Sequence, residues 1–431
     1  MKKAVRTIII GLVILSLVLV GEIYNATSVK AATKEGKITI WAWDPNFNIA
    51  IMNEASSRYK KMNPKVKIDV VSMAKADVEQ KLNTVLASGM KTGLPEIVLI
   101  EDYNAQKYLA SYPGSFAVLN NHFNYKDFAQ YKVNLMTLNG KIYGIPFDSG
   151  VAGWFYRTDY FQKAGYKANN LINITWDKFI EIGKTIKQKT GKYMIGFDPY
   201  DGGLIRIMLQ SAGKWYFDKN GKVDIANNPV LKDALNVYKK LVDSGIAKKV
   251  NGWNQWVASF NNGDAASVVS GVWIMGSIKA EKKQSGKWSV APIPRLNIKG
   301  SVNASNLGGS SWYVLQNSKY KDLAIDFMKQ IYAKDIDFYQ KILIERGAVG
   351  TYVPAQKGKA YTASDPFFGG QKIFVHFSNW MKNIPTVNYG LYTYEADSAI
   401  MAVMPDVYSG KLTVDAAVKK IEQQFKNKVG Q

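Results

Sequence analysis

The 431-residue chain has no cysteine, which excludes disulfides, thiolate zinc sites and cysteine nucleophiles. Histidine is nearly absent as well. His122 and His376 lie far apart, so neither a histidine-rich metal site nor a Ser-His triad finds support. Both histidines read as ordinary surface or half-buried residues. The run Asp218–Asp224 resembles a calcium loop only superficially, because Gly221 stands at the wrong position and the twelfth-position glutamate is missing. No metal and no cofactor are therefore expected. Arginine is sparse and forms no run, which argues against nucleic acid as a partner despite a net charge of +22. Internal repeats and low-complexity tracts are also lacking.

What is present is globular: 47% apolar and 21% charged residues, in a chain long enough for two domains. Lys2, Lys3 and Arg6 precede an apolar run from Thr7 to Val20, and small residues follow at Ala31-Ala32. That order predicts a signal peptide over 1–31, cleaved after Ala31. The apolar run is shorter than the ~20 residues a spanning helix prefers, so cleavage is expected over anchoring. The basic balance suits an anionic membrane face or wall polymer, and its plainest reading is a solvated surface.

Along the chain, Lys37–Trp43 predicts a strand, Ile49–Met62 a helix and Val66–Val71 a second strand. Val78–Leu86 predicts another helix, and Glu96–Ile100 a short apolar strand before Glu101-Asp102-Tyr103. Strand–helix–strand alternation implies a parallel sheet, with ligands beyond the carboxyl ends of its strands. Those ends carry Trp43, Asp44, Glu101 and Asp102. Asn139-Gly140 predicts a tight hairpin, because both turn positions need positive φ. Val151 then opens a strand in which Trp154 and Tyr156 share one face. Thr175, Asn228, Ser318 and Thr413 are expected helix caps. Trp288–Pro294 reads as an extended return linker to the first body.

Eleven tryptophans and 25 tyrosines suit a carbohydrate site. A sugar ring stacks its C–H face on an aromatic side chain, and its hydroxyls need fixed donors and acceptors. Trp41, Trp176, Trp215 and Trp288 are assigned to packing, and Trp43, Trp154, Trp273 and Trp312 to cleft edges. Trp253, Trp256 and Trp380 fit either role.

The segments KITIWAWD, YGIPFDSGVAGWFYRTDYFQKAGY, TWDKFIEIGKTIK and NNGDAASVVSGVW continue into GGSSWYVLQNSKYKDLAIDFMKQIY and SGKLTVDAAVKKIEQQF. In that order the chain resembles the extracellular solute-binding proteins, family 1, of ATP-dependent (ABC) sugar importers. WAWDPNFN and EDYNAQKYL resemble members assigned to lactose, arabinose or arabino-oligosaccharides. The resemblance implies an α/β fold of the two-lobe periplasmic-binding-protein-like type (type II), with a ligand cleft between hinge-linked lobes. Lobe 1 is expected at 34–147 plus 293–333, and lobe 2 at 148–292 plus 334–431. By matching positions, the ligand site is expected at Trp43, Asp44, Glu101, Asp102, Trp154, Tyr156, Trp273, Gly309, Ser310 and Trp312. It implies an exported, non-enzymatic monomer that binds a mono- or oligosaccharide and hands it to membrane permease subunits. Many members carry a lipid-modified cysteine that this chain lacks, so free secretion, a retained leader and a periplasmic location are alternatives.

Two other classes compete. A secreted glycoside hydrolase would need paired carboxylates, for which Asp44 with Glu101 or Asp102 is the one nomination. A wall-binding protein would act through its positive charge and lose binding at high salt.

Overall fold

The computed structural model describes residues 34–89 and 93–430, and the expected signal segment 1–31 lies outside them. The first sheet has the order Val66–Ser72, Gly36–Ala42, Ile97–Glu101, Ser310–Val314 and Gly144–Pro146. Its first three strands are parallel, as the strand–helix alternation predicts, and the last two pair antiparallel. Strand side chains alternate between faces, and here both faces are covered. Ile38, Ile40, Ile97, Leu99, Trp312 and Val314 pack in one core, under the helices Ala50–Met62, Lys321–Tyr332 and Ile336–Arg346. Trp41, Val98, Ile100 and Tyr313 pack in another, under Lys75–Ala87 and Asp102–Ser111. This three-layer α/β body is lobe 1.

Lobe 2 is built on a smaller antiparallel sheet, with Ala152–Arg157 flanked by Ser267–Gly271 and Trp288–Ala291. Helices wrap it, and several are started by the expected residues. The Thr175 hydroxyl accepts from Lys178 N, Asn228 Oδ1 accepts from Val230 N and Leu231 N, and Thr413 Oγ1 accepts from Ala416 N. Each satisfies a backbone donor that the first helical turn leaves open. Ser318 does not cap: its hydroxyl donates to the Leu315 carbonyl, and the helix begins at Lys321.

Among the described residues, three segments join the lobes. The central one runs through residues 147–151. It is bonded on one side to Ser305 and Leu307 (Ala152 N to Ser305 O and Leu307 N to Gly150 O, both 2.8 Å). On the other side it meets Val349 and Thr351 (Ser149 N to Val349 O, 2.9 Å; Thr351 N to Phe147 O, 3.1 Å). Gly150 permits this approach, since a Cβ there would lie 2.1 Å from the Leu307 oxygen.

Packing sets some segments elsewhere than their reading in the sequence. Trp288–Ala291 is a strand of the second sheet, not a return linker, because it pairs with Ala152–Arg157 over four residues. Ile293 and Leu296 stay in the lobe 2 core, so the chain recrosses at 305–309. Conversely, Phe338, Tyr339 and Ile342 lie in a lobe 1 core, although they fall beyond residue 333.

Candidate functional site

On the lobe 2 side of the cleft, Trp273 follows the strand Ser267–Gly271 on a short 3-10 turn. Gly271 makes room for its ring, since a Cβ there would stand 2.3 Å from the indole nitrogen. That nitrogen donates to the Leu307 carbonyl at 2.8 Å. The helix Gly252–Asn261 adds Trp253 and Trp256, with ring centroids 6.0 Å from Trp273 to Trp253 and 5.4 Å from Trp253 to Trp256. Trp253 is 53% exposed. These rings, Tyr238, Asp198 and Asp201 line a cavity of about 150 Å³.

The two carboxylates are held by backbone. Asp198 accepts from Gly252 N at 2.7 Å and Tyr200 N at 2.9 Å, and Asp201 accepts from Gly203 N at 2.7 Å. A carboxylate has about four acceptor positions, so both keep lone pairs for a hydroxyl. Asp201 also borders a second hollow of about 580 Å³, lined by Tyr200, Arg206, Tyr394 and Asp397. Tyr200 is 68% exposed at its rim. Arg206 lies 3.7 Å from Asp201 and pairs with Asp397, while its guanidinium sits over the Tyr103 ring at 5.1 Å.

Lobe 1 supplies Trp43, Asp44 and Glu101 at the carboxyl ends of adjacent parallel strands. The register pairing Ile40 with Ile97 sets Asp44 level with Glu101. Asp44 has a φ of 60°, and its carboxylate accepts from Phe47 N at 3.2 Å, which turns the chain out of the sheet. Glu101 pairs with Lys75 and accepts from the Tyr394 hydroxyl, so it already spans the cleft. Burial and the nearby Glu101 charge hold the Tyr394 phenol well above its ordinary pKa.

The ten expected site residues thus separate into three places. Trp273 lines the aromatic cavity, Glu101 reaches Tyr394 of the other lobe, and Trp43 and Asp44 stand just past the end of the strand Gly36–Ala42, Trp43 half-buried against the lobe 1 cores. Asp102, Gly309 and Ser310 belong to a buried hub at the crossings. There Asp102 pairs with Lys132 and accepts from Ser311 Oγ at 3.0 Å, and Ser310 N donates to Asp148 at 2.8 Å. Burial pushes the Asp102 carboxyl up to about 6, against the pull of Lys132, and raises Asp148 as well. Trp154, Tyr156 and Trp312 are in the cores: both tryptophans have no exposed surface, and each residue sits on an interior strand covered on both faces. Trp154 packs on Phe161 and Phe179, and Trp312 on Phe147 and Tyr332. For these three the alternation of the pleat did expose a face, but to a helix layer instead of the cleft. Asp198, Tyr200, Asp201, Arg206 and Tyr394 were not expected. The Asp-Pro-Tyr-Asp run before the helix carrying Arg206 was the one local signal for the first four, and Tyr394 had none.

Two α/β bodies, three crossing segments and an aromatic cleft with fixed carboxylates define a two-lobed ligand-binding protein. The chain belongs to the bacterial extracellular solute-binding proteins, whose family profile matches residues 54–366. It is 54% identical over 389 residues to a lactose-binding protein of Rhizobium radiobacter, covering 90% of this chain and 92% of that one. An arabinooligosaccharide-binding protein of Bacillus subtilis is 26% identical, with 76% of each chain covered. Among solved structures, the fold is shared with a transporter-associated binding protein of B. animalis subsp. lactis in complex with beta-1,6-galactobiose. That match has a TM-score of 0.72 at 23% identity and covers 92% of this chain and 98% of the other. The GacH receptor of Streptomyces glaucescens has a TM-score of 0.75 at 20% identity, over 91% and 98%.

Proposed function

We propose that this chain is an exported receptor that captures a galactose-containing disaccharide or short oligosaccharide and delivers it to the permease of an ABC importer. The observation that carries the reading is the Trp253, Trp256 and Trp273 wall beside Asp198 and Asp201. Rings take the apolar sugar face, and the backbone-held carboxylates accept from hydroxyls. Glu101, Asp44 and Trp43 would close over the ligand from lobe 1, by hinge motion about the three crossings. The relative named for lactose, at 54% identity over nearly the whole chain, supports the choice of sugar. We assign 34–147 and 309–357 to lobe 1, and 151–305 and 358–430 to lobe 2, following the packing of the cores.

A hydrolase has less support. Asp102 is engaged by Lys132 in the interior, and Glu101 by Lys75 and Tyr394, so neither is placed as a free acid or base. Calorimetric titration of residues 32–431 with lactose and with galacto-, arabino-, xylo-, gluco- and malto-oligosaccharides tests the proposal, with the recovered sugar checked for cleavage. Micromolar binding of intact lactose or a galacto-oligosaccharide is expected. Cleavage would favour the hydrolase, and no binding across the panel would overturn the sugar assignment.

A further inference from the structure

The helix Asp102–Ser111 belongs to lobe 1 by its place after the strand Ile97–Glu101, yet one of its faces is spent on lobe 2. The Tyr103 ring is buried among lobe 2 aromatics, with centroids 5.7 Å from Trp215, 4.7 Å from Tyr389 and 5.9 Å from Tyr394. One turn on, Lys107 Nζ reaches Glu395 at 2.7 Å and lies 5.4 Å from the Tyr392 ring. Glu395 stands in the first turn of the helix Thr393–Tyr408, where the helix dipole favours a carboxylate. Beside it, Tyr394 is met from lobe 1 by Glu101 and by Lys75, whose ammonium is 4.9 Å from the ring centroid. The contacts follow a gradient. Tyr103 accepts from Gly308 N at 3.0 Å, next to a crossing segment, whereas Lys107 and Glu395 lie a turn farther along the helix.

We propose that the Lys107–Glu395 ion pair is a latch between the lobes that sets the affinity for sugar without touching it. The pair exists only when the lobes are together, so its free energy adds to the closed form alone. Apparent affinity scales with the fraction of protein in the binding-competent form, so the latch enters the dissociation constant directly. Both side chains are partly exposed, at 41% and 29%, so salt screens the pair. The affinity for a neutral sugar therefore falls with ionic strength, although no ion takes part in the contact with the sugar. The affinity arm of this inference rests on the receptor reading above. The conformational arm does not.

The test uses Glu395→Gln, Lys107→Gln and the charge-exchanged pair Lys107→Glu with Glu395→Lys, none of which alters a residue of the proposed sugar site. Lactose is titrated into each at about 0.05 M and about 1 M salt. Each single variant is expected to bind lactose about threefold to fivefold more weakly at low salt, the range of a partly exposed pair. The exchanged pair restores affinity, and high salt weakens the unaltered protein by a similar factor. In parallel, the absence of cysteine lets two spin labels be placed cleanly, at Lys60→Cys on lobe 1 and Lys189→Cys on lobe 2, both exposed. In sugar-free protein the label distance should shift to longer values in the single variants and in high salt. Unchanged lactose affinity together with unchanged label distances would overturn the latch. If the unaltered chain ignores lactose, the sugar assignment falls, and the label distances without sugar still decide for or against the latch.

Discussion

The indole nitrogen of Trp273 donates a 2.8 Å hydrogen bond to the carbonyl of Leu307, so a ring of the proposed sugar platform is tied to a segment crossing between the lobes. Leu307 N in turn donates to Gly150 O on the central crossing. In the receptor proposed above, a ligand pressing on this ring would bear on the crossing segments through these two bonds.

Replacing Trp273 by Ala should weaken sugar binding by about 2–4 kcal/mol, the cost of removing a central aromatic anchor. Trp273→Phe keeps a ring but drops the donor to Leu307, and should cost about 1 kcal/mol. Calorimetric titration separates the two. An unchanged affinity in Trp273→Ala would assign the ring to packing alone.

Trp154 and Trp312 should behave oppositely. Each is wholly buried on an interior strand, so Trp154→Ala or Trp312→Ala is expected to cost about 3–5 kcal/mol of stability. Denaturant unfolding measures that loss, and the folded fraction should bind sugar with ordinary affinity.

Lys132 and Asp102 form an ion pair out of reach of solvent, and Lys132→Met should cost about 3–5 kcal/mol by stranding a buried carboxylate. Adding Asp102→Asn should recover much of that loss, since the stranded charge is gone. Chemical unfolding of the single and double variants gives the comparison.

The same carboxyl predicts a pH dependence. Folding raises the Asp102 pKa from the ordinary 3.8 to about 6, because burial penalises the charged form more than Lys132 favours it. The folded state then holds the proton where the unfolded chain has released it. The contribution to stability is complete below pH 3.8 and is lost as pH rises through about 6, by an amount of order 1–3 kcal/mol. Unfolding of Asp102→Asn across that range should lack this component.

Gly150→Ala puts a methyl group 2.1 Å from the Leu307 carbonyl oxygen, against the backbone of Leu307 and Gly308. Loss of at least about 2 kcal/mol of stability is expected, with the crossing segments forced apart. Thermal unfolding and the interlobe label distance both report it.

Much of this was written locally. Asn139 and Gly140 have φ of 52° and 73°, as their turn requires, and Thr175, Asn228 and Thr413 cap helices because a short polar side chain can reach the open first-turn amides. The carboxyl ends of the first parallel strands, and with them Trp43, Asp44 and Glu101, followed from strand–helix alternation. The second strand of the crossover was also legible, but its burial was not. Alternation states which side chains share a face, and whether that face meets water or a helix depends on chain far away. Trp154 and Trp312 were misplaced for that reason. Trp288–Ala291 looked like a linker because an extended, proline-punctuated run resembles a strand in everything except its partner, which lies more than a hundred residues earlier.

The sequence by itself determined the class of fold, the order of its elements, the turns and caps, and the supply of aromatics and carboxylates from which a sugar site can be made. All of these rest on interactions between residues a few positions apart, or on composition. The tertiary structure decided which tryptophans line the cavity, that Asp198 and Asp201 share it with Trp273, and that Lys107 faces Glu395, 288 positions away. Those choices depend on which surfaces the closed chain brings together and dries, and no local pattern of residues carries that information.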